Sequence, residues 1–320
     1  MRFIQNTSTN PYFNLALEEY ILKEFSEDYF LIYRNEPSVI IGKHQNALAE
    51  INIEFVNKNK IKVARRLSGG GAVFHDLGNL NYTFITNGEK ANLVNFKKFS
   101  QPIIDILNKI GVPAELEGKS DLKIHGLKFS GNAEHVYKNR VLHHGTMLFS
   151  SDISNLGKAL ADNSIHYIDN AVKSNRSEVT NIMNYLSSEI NISDFEELII
   201  GHINYEFLDF EEYFLTENDY EKIEILIDQK YSQWEWNYGY SPNYTFNKKL
   251  KKDFGSIEIY LGVEKGIIVE ANIETNILNL EDSSKLEERL IGSPHSYSEV
   301  LTMLISINRK HALELVKVFF

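Results

Sequence analysis

Three consecutive glycines carry the first chemical signal. They sit in Arg65-Arg66-Leu67-Ser68-Gly69-Gly70-Gly71-Ala72-Val73-Phe74-His75-Asp76, directly after a β-rich run. Glycine admits positive φ and lets the backbone approach a ligand closely. Successive N–H groups in such a loop form a concavity for anions. The two arginines add guanidinium planes, which suit bidentate contacts to phosphate or carboxylate. The pattern is neither GxxxxGK[ST] nor GxGxxG, so the usual nucleotide motifs are absent. A plain hairpin turn would use the same glycines; the adjoining arginines favour an anionic ligand.

Two further segments hold polar groups on strand-like runs. In Gly126-Leu127-Lys128-Phe129-Ser130-Gly131-Asn132-Ala133, regular alternation puts Lys128 and Ser130 on one face and Leu127 and Phe129 on the other. A lysine there is either at a wet edge or faces an anion. In His143-His144-Gly145-Thr146 the adjacent histidines face opposite ways and cannot share a metal. They read as packed or hydrogen-bonded. The other histidines have no metal spacing, and HExxH is absent.

The elements around these segments follow from periodicity. Asn10-Pro11 starts a helix carrying Phe13, Leu17, Tyr20 and Ile21. Strands are predicted at 29–34, 38–42, 61–66 and 80–86, with three more within 121–150. A helix spans 93–110, with Pro102 expected to kink or divide it. Further helices are predicted near 193–205 and 217–231. Ser193 with Glu196, Ser284 with Glu287 and Ser296 with Glu299 form capping-box patterns. Glu264-Lys265-Gly266 reads as a hairpin turn. Composition shifts after 234–243, giving a predicted boundary between 1–246 and 247–320.

Composition narrows the class. The chain has 320 residues, 43% hydrophobic, enough for a large core. Its net charge of −11 argues against a general nucleic-acid binder. With no cysteine there is no disulfide, thiolate nucleophile or zinc–cysteine site. No apolar run is long enough to span a membrane, and the N-terminus lacks a secretory pattern. The expected location is the cytoplasm.

RRLSGGGAVFHDLGNLNYTF, SDLKIHGLKFSGNA and HHGTMLFSSD resemble, in order and spacing, the three signature segments of the lipoate–protein ligase A family. NPYFNLALEEY, IYRNEPSVIIGKHQN, VKSNRSEVTNI and WEWNYG are similar too, so the resemblance spans nearly the whole chain. Glu134 stands where many relatives have an aromatic residue. The resemblance implies an α/β catalytic domain of α+β type on mixed sheets, biotin/lipoate ligase-like, with a small α+β C-terminal accessory domain. It implies ATP-dependent activation of lipoic acid to lipoyl-AMP, then transfer to a lysine of apo lipoyl carrier domains. These carriers are 2-oxoacid dehydrogenase acyltransferase subunits and the glycine-cleavage H protein. ATP with Mg²⁺ is implied, without a tightly bound organic cofactor; the metal ligands are unassigned. Lys128 would be the catalytic residue, touching the α-phosphate and the acyl oxygen. Arg66, Gly71, Ala72, Val73 and Phe74 would bind ATP and the adenylate, with Asn79 and Asp121 as further contacts. Gly70, Gly71 and Lys128 would hold lipoate. The alternatives are a biotin-ligase-like enzyme or a non-catalytic lipoate or adenylate binder.

An adenylating site without cysteine leads to one expectation. Lipoate-dependent ATP–pyrophosphate exchange should be unchanged by saturating iodoacetamide. Exchange that depends on biotin and ignores lipoate would contradict the reading.

Overall fold

A helix buried on every side must satisfy its polar side chains from within the protein. The helix Pro11–Glu24 is of this kind: every residue from Phe13 to Leu22 is buried, including Asn14, Glu18 and Glu19. It starts where the sequence predicts. The Asn10 side chain accepts from the Tyr12 N–H, and Pro11 occupies the first turn. The computed structural model describes residues 1–88, 93–160, 164–207 and 210–320.

The helix lies against a mixed eight-stranded sheet. In spatial order its strands are Glu211–Glu212, Arg2–Gln5, Tyr29–Arg34, Asn79–Asn87, Arg140–Leu148, Leu127–Tyr137, Asp121–Ile124 and Ala114–Glu117. The first three pair in parallel and the rest antiparallel. The helices Phe96–Lys109 and Ile192–Glu206 cover the opposite face, over Phe30, Phe84, Phe129 and Met147. A separate three-stranded sheet has Ser38–Ile41 at its centre, parallel to Lys62–Arg65 and antiparallel to Val73–His75. The glycine loop joins those two outer strands.

These elements belong to one compact unit, residues 1–43, 62–157 and 175–232. The second unit comprises 44–61, 158–174 and 233–320. It contains a four-stranded antiparallel sheet of Tyr167–Asp169, Tyr244–Lys252, Gly255–Glu264 and Ile267–Thr275. The hairpin turn falls at Lys265-Gly266, both at positive φ (51° and 76°). Inside this unit Tyr244 donates to His295 Nδ1 (2.7 Å), and His295 Nε2 donates to the Phe319 carbonyl (2.7 Å). Burial lowers His295 to about 4, so it stays neutral.

Several local expectations are corrected. Position 246 lies inside the strand Tyr244–Lys252, which pairs along its length with Gly255–Glu264, so a cut there would divide a ladder. The capping box of Ile192–Glu206 uses Asn191 and Asp194, not Ser193 and Glu196, because the helix begins early enough for Ile192 to pack on the core. Asn279 caps Leu280–Leu290, with Ser284 inside the helix. Ser296 precedes Tyr297–Asn308 but makes no cap bond; its hydroxyl pairs with Ser298 at 3.0 Å. Pro102 does not divide Phe96–Lys109. The partner its ring denies is the carbonyl of exposed Lys98, which water can serve.

Gly145 marks a place where the sheet admits no side chain. Tyr82 donates to Asn132 Oδ1 (2.5 Å) across the face it occupies. A Cβ at Gly145 would overlap that amide oxygen and lie 2.6 Å from the Tyr82 ring. Gly145→Ala should cost roughly 1–3 kcal/mol, as overpacking does. A urea midpoint equal to wild type would refute this packing account.

Candidate active site

The face of the large sheet that carries the helix Pro11–Glu24 also carries the polar residues. Glu18 is 2% exposed. Its Oε1 accepts from Tyr33 (3.0 Å) and Thr83 (2.5 Å), and its Oε2 lies 3.0 Å from His144 Nδ1. Burial pushes this carboxyl up, but His144 and the Thr83 and Tyr33 hydroxyls outweigh that and hold it below its ordinary value. Burial, then the Glu18 charge, raise Tyr33 well above the phenol range, so it remains a donor. With Nδ1–H directed to Glu18, His144 Nε2 meets the Ser68 hydroxyl at 2.6 Å.

Ser68 opens the glycine loop, and Arg66 organises it. Arg66 is 6% exposed. Its Nε donates to Ser68 Oγ (3.0 Å), one terminal nitrogen to the Ile40 carbonyl (3.1 Å), and the other to the carbonyls of Gly69 (2.7 Å) and Gly71 (2.8 Å). Burial lowers Arg66 to about 10, opposed by Glu18, and it stays cationic at neutral pH. Sequence reasoning expects this arginine on phosphates; here it is turned to the loop's own carbonyls. Those carbonyls face inward as a result. Among the described residues nothing accepts from the N–H groups of Gly69, Gly70 or Gly71. Gly70 holds φ at 89°, which a side chain would strain.

Lys128 reaches the same face through a β-bulge. Against the neighbouring strand, Asp121 pairs with Gly131 and Leu122 with Ser130, but Lys123 pairs with Lys128. Phe129 is the extra residue, and the alternation reverses across it. The expectation that Lys128 and Ser130 share a face is therefore wrong. Ser130 is 1% exposed and accepts from Asn132 Nδ2 at 3.2 Å. Lys128 instead joins Asp121, its Nζ 2.9 Å from Oδ1. It also overhangs Gly131, where a Cβ would lie 3.2 Å from Nζ. The Gly131 N–H donates to Thr146 Oγ1 (3.1 Å), and Thr146 follows His144 by two residues on one strand face. That step of about 7 Å links Lys128 to the glycine loop.

The remaining predicted residues fall around this line. Val73 pairs with Ile40 and Phe74 with Val39; Phe74 is buried in the core. Ala72 ends the loop before them. Asn79 is fully buried, its Nδ2 donating to Asn81 Oδ1 (2.8 Å) and its Oδ1 without a partner. Asp121 Oδ2 has no partner among the described residues.

Sequence reasoning did not single out Glu18, Tyr33, Thr83 or Thr146. A signal for Glu18 existed, since Glu18-Glu19 interrupt an otherwise apolar helical run. It also left His75 unassigned. His75 Nδ1 accepts from Asn35 Nδ2 at 2.8 Å, and its Nε2 is buried without a partner. Burial, then Arg66 and His144, lower it to about 3. The unfolded chain therefore binds a proton below about pH 6.5 that the folded protein refuses, so stability falls as pH drops from about 6.5 towards 3. His75→Gln should flatten this slope by up to about 1.4 kcal/mol per pH unit. Urea titrations of both proteins at pH 5 and 7 measure it, and parallel slopes would contradict the assignment.

Comparison with known proteins places the chain in a family. Residues 10–204 match the lipoyl protein ligase A/B catalytic domain, and 241–317 the bacterial lipoate protein ligase C-terminus. The chain is 41% identical over 316 residues to lipoate-protein ligase LplJ of Bacillus subtilis, covering 97% of this chain and 96% of that one. A putative lipoate protein ligase of Thermoplasma acidophilum with bound lipoic acid superposes with a TM-score of 0.65 at 28% identity, over 74% of this chain and 98% of that one. A lipoate-protein ligase A bound with ATP gives 0.64 at 27% identity, over 75% and 98%. With two family matches and a near full-length relative, this chain belongs to the family of lipoate–protein ligases, which join lipoate to protein at the expense of ATP.

Proposed function

We propose that Lys128 is the electrostatic centre of both half-reactions of this ligase. The observation that supports this most is the bulge at Phe129, which turns Lys128 onto the face of the glycine loop. In the first half-reaction a lipoate carboxylate oxygen attacks the ATP α-phosphorus, the bond to the β-phosphate oxygen breaks, and pyrophosphate leaves. Two anions must meet, so a cation between them lowers the barrier. Lys128 can offer an N–H to each, exchanging its Asp121 contact for them. In the second half-reaction the amine of a carrier lysine attacks the acyl carbon. A C–N bond forms, the C–O bond to AMP breaks, and the amine loses a proton. The same ammonium then stabilises charge on the acyl oxygen and on departing AMP. No covalent enzyme intermediate is needed, which suits a chain without cysteine.

The free N–H groups of Gly69, Gly70 and Gly71 are suited to the adenylate phosphate and the lipoate carboxylate. Arg66 serves the phosphates through this loop, with Ala72, Val73 and Phe74 continuing its backbone. Mg²⁺ typically takes one or two carboxylates plus substrate phosphates. The unpartnered Asp121 Oδ2 fits that donor set, and the ion would offset charge on pyrophosphate. Asn79, whose Oδ1 lacks a partner, is a further contact for the adenylate. The acceptors are apo lipoyl carrier domains of 2-oxoacid dehydrogenases and the glycine-cleavage H protein. Dependence on ATP suits the cytoplasm. No described helix is long and apolar enough to cross a membrane. The unit of 44–61, 158–174 and 233–320, which contains the predicted 247–320 portion, assists adenylation, and the other unit is mainly catalytic.

Lys128→Ala should lower pyrophosphate exchange and transfer from supplied lipoyl-AMP by roughly 10²–10³, the effect of one lost electrostatic donor. Its fold should persist, since the side chain leaves no apolar core. Lys128→Arg should also fail, because a planar fork does not replace a compact ammonium. The assay is the intact mass of an apo carrier after incubation with ATP, Mg²⁺ and lipoate. Near-normal carrier modification by the alanine variant would return Lys128 to the role of a solvated edge lysine.

A further inference from the structure

We propose that Glu18, His144 and Ser68 are positioning residues that set the conformation of the glycine loop from the buried helix Pro11–Glu24. This rests on the ligase reading, because it assigns a role to groups behind that site. The contacts form one unbroken series. Glu18 Oε2 meets His144 Nδ1 at 3.0 Å, and His144 Nε2 meets Ser68 Oγ at 2.6 Å. Ser68 Oγ accepts from Arg66 Nε at 3.0 Å, and Arg66 holds the Gly69 and Gly71 carbonyls at 2.7 and 2.8 Å. Tyr33 and Thr83 fix the Glu18 carboxylate from two further strands of the sheet.

The order acid–imidazole–hydroxyl is that of a hydrolytic relay, but this Ser68 is not placed to be a nucleophile. It is fully buried, and its Oγ already receives the Arg66 N–H. A nucleophile needs substrate access to its oxygen. A tether needs burial, because hydrogen bonds to charged groups strengthen where water is excluded. Glu18 and Arg66 are opposite charges at the two ends of the series, both at most 6% exposed. Each leaves the other's burial costly if removed. The consequence reaches the loop: with Gly69 and Gly71 carbonyls drawn to Arg66, their own N–H groups are left for an anion. Glycine gives the loop no intrinsic preference for this state. The tether supplies it.

Backbone nitrogen-15 relaxation and kinetics on the full chain test this together. In Glu18→Gln and in Ser68→Ala, the amide order parameters of Gly69–Gly71, measured without substrate, should fall from about 0.85 to below about 0.6. KM for ATP in pyrophosphate exchange should rise about tenfold, the scale of one lost charge-assisted hydrogen bond, with kcat changed less. Ser68→Ala buries no charge and covers the case in which Glu18→Gln fails to fold. Wild-type loop order parameters in Ser68→Ala would overturn the proposal. Lost activity with unchanged loop order would overturn it too, since it would put these residues on the substrate. A wild-type protein without lipoate-dependent exchange would instead refute the ligase reading, while the relaxation measurement would stand.

Discussion

A guanidinium removed from water must find acceptors for its N–H groups, and the architecture of this site follows from where Arg66 finds them. It finds a serine hydroxyl, a strand carbonyl and two loop carbonyls. That choice folds Gly69–Gly71 around the side chain and turns their amides away from it. The counter-charge is Glu18, delivered through His144 and Ser68 from a helix whose burial would be prohibitive without such partners. Core and site are therefore not separable on this face of the sheet. The helix that seals the sheet also carries the carboxylate that balances the loop's cation.

The glycine loop, the strands around it and the apolar faces of most helices were legible because each rests on local patterning. The bulge at Phe129 was not. Leu127-Lys128-Phe129-Ser130 reads as regular alternation, and nothing in those letters marks an extra residue. The extra residue shows only against the partner strand, where Leu122 and Lys123 are adjacent while Ser130 and Lys128 are not. Pairing of this sort is a property of two strands and cannot be read from one. The same limit hid Gly145, whose small size is required by Tyr82 and Asn132 on the flanking strands.

Other misses came from near-degenerate local signals. Asn191 and Ser193 both head a capping pattern, and tertiary packing of Ile192 decides between them. The boundary near 246 followed a real change of composition, but the strand that crosses it takes its register from Gly255–Glu264, which lies further along the chain. For Arg66, residue type and the family resemblance both suggest a ligand contact, and its burial and partners add a second role, holding the loop together.

Burial also separates the work of the two cations on this face. Arg66 is 6% exposed and makes four hydrogen bonds within the protein. Withdrawing it to meet a substrate would strand several polar groups at once, at a cost of roughly 1–3 kcal/mol each. The Lys128 side chain is 22% exposed and holds a single ion pair with Asp121, itself 27% exposed. Pairs that water can reach contribute about 0–1 kcal/mol, so an arriving phosphate or carboxylate displaces this one at little cost. An enzyme that must bring two anions together, release pyrophosphate and then release AMP needs a cation able to change partners at each stage. Of the two, Lys128 has that freedom. Arg66 provides the complementary quality, a loop held in place by four internal hydrogen bonds, which suits the anion-binding role proposed for its N–H groups.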